Sequence, residues 1–104
     1  MKTKVKYINK KTKFGFIGMN KFAAKSNKVP FKYNEHTIEV YTKEPKQVIK
    51  DTIHHEELEE YLMKNYHFDY HRAHKNALRY EKYNKPLPNK NIKKFLEKIG
   101  FKII

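Results

Sequence analysis

At ~100° per residue, positions 48, 52, 55, 59 and 62 of a helix fall on one stripe. In this chain the stripe reads Val48, Thr52, His55, Glu59 and Leu62. An imidazole and a carboxylate thus occupy the middle of an apolar face, whereas ordinary surface charge would lie opposite it. Burying an unpaired carboxylate there is costly, so any fold of this chain must bring partners to Glu59. The raw material is close by. Five of the six histidines fall between positions 54 and 74, and five of the 11 acidic residues between 51 and 60, although the formal net charge is +13.

The remaining elements can be read around that helix. Residues 4–9 alternate Val5 and Tyr7 against lysines, and Asn9-Lys10-Lys11-Thr12 can turn the chain. Residues 13–19 follow as a second strand, with Gly15 and Gly18 marking a bulge or tight contact. Residues 19–29 are ambiguous; Phe22-Ala23-Ala24 would suit one helical turn, and Pro30 ends it. Residues 36–42 form the clearest strand, with Ile38 and Val40 on one face and Thr37, Glu39 and Tyr41 on the other. Pro45 suits the first turn of a helix running to about Asn65, and Asp69 the N-cap of a second running to about Tyr83. After the stiff linker Lys85-Pro86-Leu87-Pro88-Asn89, residues 91–99 form a short helix closed by Gly100. The expected fold is α+β in a single domain of 104 residues. Residues 1–43 are mainly β, a small N-terminal antiparallel sheet of about three strands. Residues 45–84 are a helix hairpin, and 85–104 a linker, a C-terminal helix and an apolar tail of Phe101, Ile103 and Ile104.

Composition narrows the chemistry. With no cysteine, disulfides and thiolate metal sites are excluded, leaving His, Asp and Glu as the strong ligands. The start, Met1-Lys2-Thr3-Lys4-Val5-Lys6, lacks an apolar signal region and no run is long enough to span a membrane, so a soluble, cytoplasmic protein without a membrane partner is expected. Of 24 cationic side chains 22 are lysine, spread from end to end. They read first as a solvated coat, of the kind found in thermophiles, and second as a nucleic-acid surface in which aromatic rings stack on bases.

On the second helix Tyr70, His74, Ala77, Leu78 and Glu81 share a face, with His74 and Glu81 seven residues apart. A short connection makes the helices a hairpin with the two faces opposed. His55, Glu59, His74 and Glu81 then converge. Three such ligands with an open position make a catalytic zinc site, and four make a structural one. The same residues would also serve as two interhelical His–carboxylate bridges without any ion. His54, His67 and His71 read as surface or turn histidines, Glu57 and Glu60 as solvated charge, and Asp51 as either an outer partner of His55 or a first-turn acid.

In His55-Glu56-x-x-Glu59 an imidazole and a carboxylate lie one turn apart, with a second carboxylate beside the imidazole. With Tyr70-His71-Arg72-Ala73-His74 on the next helix, the chain resembles the short soluble zinc metallopeptidases called minigluzincins, a minimal zincin-like fold. The resemblance rests on residues 36–83. It implies a peptide or protein substrate, a zinc ion or another divalent metal held by His55, Glu59 and His74, and Glu56 as general base. Glu81 would orient His74 or compete as a ligand, and Tyr66, Tyr70 or His71 would stabilise an oxyanion. Strand 36–42, as an edge, would accept an extended peptide. The family has histidine where this chain has Glu59, which implies low activity or an unusual metal. The C-terminal helix is either a third core helix or a latency segment that covers the cleft or docks on a second copy.

Overall fold

The computed structural model describes residues 4–10, 15–83, 85–88 and 90–104. In chain order they form β1 (Lys4–Ile8), β2 (Gly18–Met19), α1 (Lys21–Ser26), β3 (Thr37–Tyr41), α2 (Lys46–Asn65), α3 (Tyr70–Tyr80) and α4 (Ile92–Lys98), with a 3-10 turn, Glu81–Tyr83, continuing α3. The fold is α+β, as its sequence indicates: a three-stranded N-terminal sheet followed by helices.

The sheet differs from expectation in two ways. Its order is β1-β3-β2, and it is mixed: β1 runs parallel to β3, while β2 is antiparallel to it. The long connection through β2 and α1 supplies the crossover that a parallel pair needs. β3 is therefore the central strand, paired on both sides, and it cannot take up a peptide as an edge. Ile38 and Val40 are buried on its inner face as their alternation requires. Of the second strand expected at 13–19, Lys13 and Phe14 lie outside the described residues, and only Gly18–Met19 pairs. The ambiguous stretch after it resolves as α1, capped by Asn20, whose side chain accepts the amide of Ala23.

α2 is 20 residues long and begins directly after Pro45. Its predicted stripe is buried at Thr52, His55, Glu59 and Leu62. α3 starts at the Asp69 cap, whose carboxylate accepts the Arg72 amide. His67 turns the chain between them with a positive φ, a conformation that histidine tolerates better than most residues. The main core lies between α2 and α3 and is completed from the C-terminal side: Leu58, Leu62, Ala73 and Tyr80 pack with Leu87, Leu96 and Phe101. α4 ends at Gly100, which takes the left-handed conformation expected of a C′ glycine. Beyond it the tail is tied to α3: Arg79 donates to the Lys102 carbonyl at 2.7 Å, Arg72 to that of Ile104 at 3.1 Å, and the Ile104 amide donates to Asn76 Oδ1 at 2.8 Å. Among the described residues no helix is long and apolar enough to cross a membrane.

Candidate metal centre

α2 delivers His55 and Glu59 from adjacent turns, and α3 brings His74 against them. Glu59 Oε2 lies 3.0 Å from His55 Nε2 and 2.9 Å from His74 Nδ1, and the two nitrogens are 3.2 Å apart. Donor atoms ~2.0–2.1 Å from a tetrahedral ion stand about 3.3 Å from one another. The triangle is thus a few tenths of an ångström smaller than one that encloses zinc. Two imidazoles and a carboxylate are also a donor set that catalytic zinc sites use. His55, Glu59 and His74 could hold a metal ion.

The other predicted residues are placed as follows. Glu81 pairs with His55 and not with His74: its Oε1 accepts from His55 Nδ1 at 2.6 Å. Because Glu81 sits in the 3-10 turn after α3, it reaches back across to α2. This bond leaves His55 Nε2 as the atom facing the centre, the usual arrangement for a carboxylate-oriented metal ligand. Glu56 Oε2 lies 3.9 Å from His55 Nε2, beside the triangle and outside it. Tyr70 stacks on His74 at 5.1 Å between ring centroids, and its hydroxyl is 3.4 Å from His74 Nδ1. Of the three oxyanion candidates it alone lines the cleft. Tyr66 packs between Tyr61 and Phe68, and His71 is exposed.

Several assignments are corrected. Asp51 accepts from Gln47 on the exposed side of α2 and takes no part in the centre. His54 is buried, with Nδ1 unpartnered, and burial lowers its pKa. Glu57 and Glu60 are half-buried, not solvated, and burial pushes their carboxyls up to about 7 and about 8. α2 is enclosed on more sides than an amphipathic stripe implies, which is why the residues beside the stripe are also withdrawn from water. Leu78, by contrast, is 48% exposed at the cleft rim, whereas Ala77 beside it on the same face of α3 is fully buried.

Asn20 has no place in the sequence reading, yet it is completely buried in the centre. Its Nδ2 donates to Glu56 Oε1 at 2.9 Å and to Glu59 Oε1 at 3.1 Å. An asparagine just before a helix is a readable capping signal; its second role depends on partners 36 and 39 residues away.

The charges are strongly coupled. Burial by itself lowers the His55 pKa, but the hydrogen bond to Glu59 and the charges of Glu56, Glu59 and Glu81 outweigh it and raise the imidazole to about 9. Burial, reinforced by Glu59, pushes Glu56 up to about 8 against the opposing pull of His55 and Asn20. The centre opens into a hollow of about 180 Å³ walled by Phe16, Met19, Ala23 and Leu78, and among the described residues no lysine or arginine lines it. Among the described residues none after Glu81 lines it, and Leu87, Leu96 and Phe101 of the C-terminal segment pack into the core instead.

No protein-family model matches the chain, and neither the curated proteins nor the solved structures contain a match.

Proposed function

We propose that this protein is a minimal zinc-dependent peptidase. One observation carries the reading: a buried carboxylate, Glu56, stands beside a His55–Glu59–His74 triangle at the wall of an open hollow. A divalent ion held there would polarise a water and the scissile carbonyl. Glu56 would take a proton from the attacking water as its oxygen bonds to the carbonyl carbon, then give that proton to the departing amine as the C–N bond breaks. Its raised pKa would fall towards neutrality once divalent charge stands nearby, suiting a group that must both accept and donate. Peptide docking, expected on β3, is better supported at β2, the outer strand whose residues line the hollow.

A second reading has its own support. His55, Glu59, His74 and Glu81 satisfy one another without an ion, so the cluster would also serve as a purely structural bridge between α2 and the end of α3. Elemental analysis of untagged protein separates the two. The peptidase reading expects near one equivalent of zinc or another divalent metal, lost in His74→Ala. It also expects Glu56→Gln to abolish cleavage of an unstructured protein substrate while keeping the metal. Metal-free protein that neither takes up zinc nor is stabilised by it would end this reading.

A further inference from the structure

We propose that Asn20 is a positioning residue of the centre, whose single amide selects which oxygen of Glu59 meets the ion and which oxygen of Glu56 faces the reacting water. The inference rests on the metal-centre reading above and extends it to a residue outside the motif. A carboxylate ligand is ambiguous: it can bind through either oxygen or through both. Here Asn20 Nδ2 donates to Glu59 Oε1 and leaves Oε2 for the two imidazoles. The same nitrogen donates to Glu56 Oε1, leaving Oε2 as the atom nearest the centre. An amide nitrogen carries two donor hydrogens, so both bonds can form at once.

The other end of the amide is also committed. Asn20 Oδ1 accepts the Ala23 amide at 2.8 Å as the N-cap of α1, which prevents the side chain from turning over and presenting its oxygen to the carboxylates. The donor is thus locked in direction by the helix it caps. A histidine at position 59 has no carboxylate oxygen to receive this donor, so Asn20 and Glu59 form a matched pair. On this view the carboxylate in the motif is a supported ligand and not a lesion.

Asn20→Ser tests the proposal, because serine caps a helix as well as asparagine does but cannot span to both glutamates. The probe is cobalt(II), with affinity measured by chelator competition and coordination by the visible d–d spectrum. The expected result is a loss of about 10- to 100-fold in cobalt affinity, the usual range for an outer partner of a ligand. With it should come a weaker d–d absorption as Glu59 becomes bidentate and the coordination number rises. Serine that matches the parent in affinity and spectrum, differing only in melting temperature, would show that Asn20 is merely a cap. Should serine fail to fold, Asn20→Thr keeps a capping hydroxyl and adds no charge while lacking the amide; it should show the same affinity loss, and parental affinity would overturn the proposal. A parent chain that takes up no cobalt would remove the metal reading and this one together, whereas uptake by parent and variant alike removes this one alone.

Discussion

Gly18 brings the backbone of β2 against α2 at the level of Glu56. A Cβ there would come within 2.4 Å of Thr52 Cγ2 and 3.1 Å of Glu56 Cγ. Gly18→Ala should therefore cost about 1–3 kcal/mol of stability, as overpacking does, and should shift Glu56; urea denaturation that leaves the midpoint unchanged would refute this. Glu81 supports the opposite side of the centre. Glu81→Gln keeps an acceptor for His55 Nδ1 but removes the charge, so metal affinity should drop about tenfold or more; calorimetric zinc titration measures it. At this scale the motif residues were legible because helical period alone assigns His55 and Glu59 to one face. The partner of Glu81 was not. Seven residues from His74, it lies on the same helical face by period, but after Tyr80 the helix tightens into a 3-10 turn, and its side chain meets His55 instead.

Among the elements, α2, α3 and α4 were readable nearly to their ends because each carries a cap, proline or glycine signal. Strand order was not. Alternation identifies Ile38 and Val40 as one buried face, but period two contains no information about which strand lies between the others. The C-terminal element was open to two readings, and burial decides how its removal should behave. Phe101 is 5% exposed and meets Tyr80 edge-on at 5.7 Å, with Arg79 over its ring. Phe101→Ala should cost about 3–5 kcal/mol, the range for deleting a buried aromatic. That is a large share of what a small domain has. Truncation after residue 84 should consequently yield an unfolded or aggregated product, and not an activated enzyme. Circular dichroism of the truncated chain tests this: retained helix and a cooperative melt would contradict it.

Across the whole molecule four buried groups push stability in one direction, and only His54, whose pKa burial lowers, opposes them near its ordinary pKa. His55 holds its proton to about 9 against an ordinary 6.5, and Glu56, Glu57 and Glu60 hold theirs to about 8, about 7 and about 8 against 4.5. Between those limits the folded chain binds more protons than the unfolded one, so stability must fall as pH rises. For His55 the contribution is complete below pH 6.5 and is lost through about pH 9; the three glutamates begin to lose theirs above pH 4.5. The metal-free protein should melt at a higher temperature at pH 5.5 than at pH 9, and an equal or rising melting temperature would contradict the charge arrangement. Metal binding should run the other way, tightening with pH because an ion competes with the proton on His55. The tail adds a mechanical consequence. Residues 102 and 104 are fastened to Arg72, Asn76 and Arg79, which share α3 with His74. Tension applied at Ile104 thus travels into α3 before it reaches the sheet, and under load the His55–Glu59–His74 cluster should come apart well before the strands part.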